Sequence, residues 1–140
     1  MASKVSRVPA AVANEAVEHF EKLLAFETDC SDVHHAIVNR TKDFVLLDVR
    51  SEELYAKGHL PESIALPHWK ITEESIRHYP QSTLFVVYCA GPHCNGADNA
   101  ALKLARLSRP VKKMIGGVTG WIDEGFDLVE LDVRSKNSIP

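Results

Sequence analysis

The sequence predicts an α/β domain built on a mainly parallel sheet, and three observations carry that prediction. Two apolar runs, "DFVLLDV" at 43–49 and "TLFVVYC" at 83–89, lack the polar alternation of a half-exposed strand, so both of their faces must be covered. Amphipathic stretches with their own start and stop residues separate them. Strands alternating with helices at this rhythm imply right-handed crossovers between parallel neighbours. In such sheets ligands sit beyond the carboxyl ends of the strands, and Cys89 stands at one of those ends.

The elements follow in order. Residues 1–8 read as a flexible tail. Pro9 is a good first helical residue, and Val12, Ala16, Val17, Phe20, Leu23 and Leu24 recur at helical spacing through residue 24. A short strand near 23–27 is left open by its periodicity. Ser31 is read as the cap of a second helix reaching Asn39, with the strand at 43–49 after it. "SEELYAKG" is a short helix opened by Ser51 and closed by Gly58 in the left-handed C′ position. "SIALP" is a brief strand, and "TEESIRHYP" a capped helix halted before Pro80. After the strand at 83–89, a helix from Asn95 or Ala97 runs to Leu107. "VKKMI" is a strand, and "GVTGWIDEGF" a short helix bracketed by glycines.

Composition removes several function classes. At 140 residues the chain has the size of one domain, with 45% hydrophobic and 25% charged residues. A formal charge of −3 offers no basic field for nucleic acid or an anionic membrane. No apolar run reaches the roughly eighteen residues of a membrane span, and the N-terminus lacks the apolar core of a secretory signal. Three cysteines argue against a disulfide framework and for a reducing, cytoplasmic setting. The seven histidines, His34 and His35 included, show no metal-ligand spacing, so no metal or other cofactor is expected.

The chemistry concentrates in "LFVVYCAGPHCNGADNAALKLARL" at 84–107. A loop of small residues between a strand and a helix offers backbone N–H groups and the positive end of the helix to an anion. A thiol at its base has its thiolate stabilised and becomes a nucleophile. Read alone, the stretch leaves a reactive Cys89 and a merely packed one equally open.

Three further matches bear on that choice. "LLDVRSEELYAKGHLPESIALP" at 46–67 resembles the rhodanese signature of Asp-x-Arg, Glu-x-Tyr and Gly-His-Ile-Pro-Gly-Ala. "GGVTGW" at 116–121 resembles that family's C-terminal Gly-Gly-x-x-x-Trp, and the strand–Cys–loop–helix lies between the two. The resemblance implies a rhodanese-like fold with a central five-stranded sheet over residues 31–135, preceded by an N-terminal helical extension at 9–30 and followed by a tail at 136–140. It implies a sulfurtransferase in which Cys89 carries a persulfide taken from a donor such as thiosulfate and passed to cyanide or a thiol. Ala90, Gly91, Pro92, His93, Cys94, Asn95 and Gly96 would form the substrate-binding loop. Asp48, Arg50, His59 and Trp121 would be scaffold around it. The expected partners are small sulfur donors and thiol acceptors, a protein acceptor among them, and no nucleic acid or membrane. The N-terminal helix leaves packing on the domain and homodimerisation both open.

The chain departs from the family pattern inside the loop. Common members read Cys-x-x-Gly-x-Arg-Ser, whereas here the sixth position is Cys94, and no Arg or Lys occurs between Cys89 and Lys103. Pro92 removes one N–H from the cradle, and His93 is the one local group able to add charge. Cys94 reads either as a second thiol that attacks or receives the persulfide sulfur, or as a small packed residue. Cys30 is expected to be inert and far from the site. Two alternatives remain. A phosphatase or arsenate-reductase-like enzyme would require an Arg where Asn95 stands, and a non-catalytic binding module usually lacks the cysteine.

Overall fold

The computed structural model describes residues 1–131; the tail expected at 136–140 and the domain end placed at 135 lie outside them. The chain runs α1 (Ala13–Phe26), β1 (Glu27–Thr28), α2 (Cys30–Val38), β2 (Val45–Asp48), α3 (Glu52–Lys57), β3 (Ile64–Ala65), a 3-10 turn (His68–Lys70), α4 (Glu73–Ile76), β4 (Phe85–Tyr88), α5 (Gly96–Arg106), β5 (Val111–Met114) and α6 (Gly117–Asp123). The five strands pair in the order β1-β5-β4-β2-β3, all parallel. The predicted fold class is therefore the observed one.

The two apolar runs take the central positions because each supplies side chains to both layers. In β4 and just past it, Phe85, Val87 and Cys89 join Leu47, Val49, Ala97, Ala100 and Leu104 in one core. Val86 and Tyr88 join Leu46, Leu60, Met114, Trp121, Cys30 and Val33 in the other. The period of two that separates these sets is the pleat of the strand. It assigns Cys89 to the layer that packs on α5.

Several boundaries differ from the sequence expectation. α1 begins at Ala13, not Pro9, and runs on to Phe26, so the short strand follows it at the sheet edge. Glu27 and Thr28 pair with Lys113 and Met114, which makes them part of the domain's sheet although the expected extension ran to residue 30. The cap of α2 is Asp29, whose side chain accepts from Asp32 N at 2.8 Å, not Ser31, which sits inside the helix. Gly58 has φ 170°, an extended conformation instead of a left-handed one. A Cβ there would lie 3.2 Å from Leu128 Cδ1, a tight contact that a small shift of that side chain relieves. α4 stops at Ile76, well before Pro80, and buried Arg109 donates to the carbonyls of Ile76, Tyr79 and Pro80 left free there. Residues 1–8 are exposed and form a local turn tied by Ser3 and Ser6. None of the α1 side chains is buried.

Candidate active site

The polypeptide reaches the site along β4. Cys89, 6% exposed, is the first residue past the strand, and Ala90–Asn95 connect it to Gly96 at the start of α5. The connection is held from behind by α6. Cys89 O accepts from Val118 N at 3.0 Å, and Ala90 O accepts from Thr119 N at 2.9 Å and from Thr119 Oγ1 at 3.1 Å. Gly117 makes this approach possible. Its φ is +60°, and a Cβ would fall 2.5 Å from Cys89 O and 2.8 Å from Gly91 N. The Gly-Gly pair of the C-terminal motif thus serves the cysteine loop through its backbone.

With two loop carbonyls turned to α6, the amides are left over. The N–H groups of Ala90, Gly91, His93 and Asn95 donate to no acceptor among the described residues, whereas Cys94 N closes a turn onto Gly91 O at 3.1 Å. Pro92 has no N–H. Gly91 and Gly96 are buried, Cys94 is half-buried, and Pro92, His93 and Asn95 are exposed. Four unpaired N–H groups beside a helix N-terminus are a concentration of positive partial charge.

Cys89 and Cys94 are joined as a disulfide, with Cα atoms 6.5 Å apart, inside the range such a bond spans. Gly96 N donates to Cys94 Sγ at 3.4 Å. A Cβ on Gly96 would sit 2.8 Å from Cys89 Sγ, 3.4 Å from Cys94 Sγ and 3.5 Å from His68 Cδ2. Glycine is needed here for space beside the two bonded sulfurs, not for its φ. Closing a segment of only five residues restricts the unfolded chain by about 2 kcal/mol, so the bond is a weak staple.

The sulfurs face a cavity of about 350 Å³ lined by Cys89, Gly91, Pro92, Cys94, Ala97, Asp98, Lys113, Met114, Ile115, Gly116 and Gly117. Lys113 corrects the expectation that His93 alone brings charge to the loop. It arrives from the adjacent strand β5, and its Nζ meets Asp98 Oδ1 at 2.9 Å. His68 is a second group that sequence reasoning missed. Burial lowers its pKa, helped by the charge of Lys103, whose Nζ donates to His68 O at 2.8 Å. Cys30 is not remote either. It lies beneath the β5–α6 turn, donating to Ile115 O and Gly117 O at 3.5 and 3.7 Å, and burial foremost raises its pKa to about 11.

The four expected scaffold residues lie on the opposite side of the sheet ends. Asp48, fully buried, accepts from Arg50 Nη2 at 2.7 Å, Arg50 Nε at 3.0 Å and Arg50 N at 3.1 Å. Arg50 also donates to Gly58 O at 2.6 Å. Tyr88, which the sequence reading did not single out, donates its hydroxyl to Asp48 Oδ2 at 2.7 Å and accepts from Leu60 N at 3.1 Å. His59 Nδ1 lies 2.7 Å from Tyr55 O, and its ring stacks on Tyr55 at 3.7 Å. Trp121, fully buried, donates Nε1–H to Asp127 O at 2.9 Å. None of the four lines the cavity at the sulfurs.

Among the described residues no cluster of His, Cys, Asp and Glu has the arrangement of a metal site, and no helix is long and apolar enough to cross a membrane. Residues 32–124 match the family described as Rhodanese-like domain. A solved structure, the BH2092 protein of Bacillus halodurans, is 32% identical with a TM-score of 0.81, covering 89% of this chain and 97% of that one. The thiosulfate sulfurtransferase of Pseudomonas aeruginosa shares the fold at TM-score 0.61 and 21% identity, over 83% of this chain and 21% of that chain. An HTH-type transcriptional regulator of Mycobacterium tuberculosis is 29% identical over 89 residues, 59% of this chain and 39% of the regulator, so the chain spans well under half of that relative's length.

Proposed function

The chain belongs to the rhodanese-like domain family, and on that premise we propose that it is a sulfurtransferase that carries sulfane sulfur on Cys89. The observation that carries this reading is the position of Cys89. Its sulfur ends a buried strand, at the wall of a cavity and at the base of a loop whose Ala90, Gly91, His93 and Asn95 N–H groups donate to no acceptor among the described residues. In the reduced protein those amides and the start of α5 favour the thiolate over the thiol. The thiolate attacks the outer sulfur of a donor. With thiosulfate, the sulfur–sulfur bond of the donor breaks, sulfite leaves with its electron pair, and Cys89 becomes a persulfide. The same N–H groups then meet the anionic terminal sulfur, as donors meet an oxyanion. An acceptor thiol, or cyanide in an assay, attacks that sulfur and restores the thiolate.

Lys113 is neutralised by Asp98 at the same cavity wall, so an anionic donor meets neither a net positive side-chain charge from that pair nor the bidentate grip an arginine would supply. A low-molecular-mass persulfide, bearing less charge at its reacting end than thiosulfate, suits this cavity better. A reducing compartment such as the cytoplasm keeps Cys89 available between turnovers.

The test is intact-mass analysis of the pre-reduced protein after brief exposure to thiosulfate, and separately to cysteine persulfide. Wild type is expected to take one sulfur atom per chain, seen either as an adduct or as sulfide released with the internal disulfide formed, and Cys89→Ser to do neither. Equal labelling of both, or hydrolysis of an aryl phosphate by the wild type in place of sulfur transfer, would overturn the reading. Inertness toward both donors would assign the domain to binding instead of catalysis.

A further inference from the structure

From the pairing of the two loop cysteines we infer that Cys94 is a resolving thiol, which discharges the Cys89 persulfide inside the protein and releases the carried sulfur as hydrosulfide. The inference rests on the persulfide reading above. Three features carry it. Cys94 Sγ bonds to Cys89 Sγ, which is the inner sulfur of a persulfide on Cys89. Gly96 flanks the sulfur pair, and a Cβ there would lie 2.8 and 3.4 Å from the two sulfurs, so the absence of a side chain at this position leaves room for them to meet. Gly96 N donates to Cys94 Sγ at 3.4 Å, which favours an anionic sulfur on Cys94.

The step balances without an outside oxidant. In Cys89–S–SH the sulfane sulfur already stands at the disulfide level. The Cys94 thiolate supplies the electron pair of a new bond to Cys89 Sγ. The bond from Cys89 Sγ to the outer sulfur breaks, and that sulfur leaves with the bonding pair as HS⁻. It carries the proton that the Cys94 thiol gave up to the anionic outer sulfur on becoming the attacking thiolate. The product is the Cys89–Cys94 disulfide found in the structure. Attack on the outer sulfur would instead move the persulfide to Cys94, but the sulfur that Cys94 reaches is the inner one. Hydrosulfide is a weaker base than an alkyl thiolate, so it is the better leaving group in the exchange. Two equivalents of a low-molecular-mass thiol, or one protein dithiol, then reduce the disulfide and return the enzyme. Over the cycle, thiosulfate and two thiols become sulfite, hydrogen sulfide and one external disulfide.

The experiment is a single turnover of the fully reduced, full-length chain with thiosulfate and, in parallel, with cysteine persulfide. Each reaction is quenched rapidly and read by intact mass, sulfide release and, for thiosulfate, sulfite release. The wild type is expected to release one sulfide per chain without added reductant and to end about 2 Da lighter, as the internal disulfide. Cys94→Ser is expected to stop as a persulfide about 32 Da heavier and to release sulfide only when a thiol is added. Cys94→Ala, which also removes the serine hydroxyl, is expected to match it, and Cys30→Ser to match the wild type. A wild type that persists as the heavier persulfide, or a Cys94→Ser that releases sulfide as fast as the wild type, would overturn the inference while leaving Cys89 as the sulfur carrier. Failure of both donors to load Cys94→Ser at all would remove the persulfide reading and the inference with it.

Discussion

Replacing Tyr88 by Phe removes one oxygen from a position with no exposure to solvent, and the surroundings set the cost. The Tyr88 hydroxyl has a single proton, which goes to Asp48 Oδ2 at 2.7 Å, the shortest of its contacts; its oxygen accepts from Leu60 N at 3.1 Å and lies 3.1 Å from Ser63 Oγ. Burial above all, and then the Asp48 carboxylate, push the phenol's pKa well above its ordinary value, so it remains a donor at every pH at which the protein is folded. Phenylalanine leaves the Leu60 N–H buried without an acceptor, which costs about 1–3 kcal/mol. Asp48 keeps its three bonds from Arg50 but loses a neutral donor, about 1 kcal/mol more. The expected loss is about 3 kcal/mol, or a fall of roughly 6–12 °C in melting temperature for a chain of this size. Urea unfolding of reduced wild type and Tyr88→Phe measures it, with the slope required to stay constant. A loss below about 1 kcal/mol at constant slope would mean that a water takes the hydroxyl's place, and the account of a dry network at the strand ends would be wrong. Tyr88 faces the other layer from Cys89, so sulfur loading of the folded variant is expected to stay within about twofold of wild type.

Two further outcomes follow from the site. Gly96→Ala places a methyl 2.8 Å from Cys89 Sγ. The better helix propensity of alanine offsets part of the overpacking, so stability changes by about 1 kcal/mol while sulfur loading falls roughly 10- to 100-fold, and rapid-quench mass analysis with urea unfolding separates the two. Cys30 has its pKa raised from 9.0 to about 11 by burial, with Asp29 and Glu124 adding to it. A group whose folded pKa is raised stabilises the fold below its unfolded value and loses that contribution as pH climbs through the folded one. Stability should therefore fall by up to about 3 kcal/mol between pH 9 and 11, a drop that Cys30→Ala makes shallower in urea titrations at each pH.

What could be read from the sequence followed the physics of each signal. The central strands were legible because "VLLD" and "FVVY" must bury both faces, and only the inner positions of a parallel sheet allow that. Cys89 was legible because a strand end is fixed by the run that precedes it. The cap of α2 was ambiguous because Asp29, Ser31 and Asp32 all have capping side chains, and tertiary packing of Cys30 and Val33 decides which turn comes first. Lys113 and Met114 were invisible as site residues because the cavity wall comes from β5, beyond the whole of α5 in sequence. Tyr88 hid inside an apolar run, its hydroxyl having no sequence signature. Gly58 was assigned correctly as the end of its helix but with the wrong backbone, since its φ of 170° is extended and not left-handed.

The link from Tyr88 to Asp48 also bears on the order in which the chain folds. The two residues are 40 positions apart, and neither is adjacent to the other's strand neighbours until β4 has docked on β2. Before that moment Asp48 and Leu60 N lack the Tyr88 hydroxyl, and the Gly58–Ser63 segment is tied by local contacts alone, such as Arg50 to Gly58 O and Tyr55 to Ser63 O. A loop that closes after the rate-limiting barrier makes Tyr88→Phe quicken unfolding more than it slows refolding, and the two arms of a chevron for that variant measure which it does. During synthesis the same logic keeps the stretch between β2 and β4 open until β4 has emerged, and the edge strand β1 waits longer still, for β5.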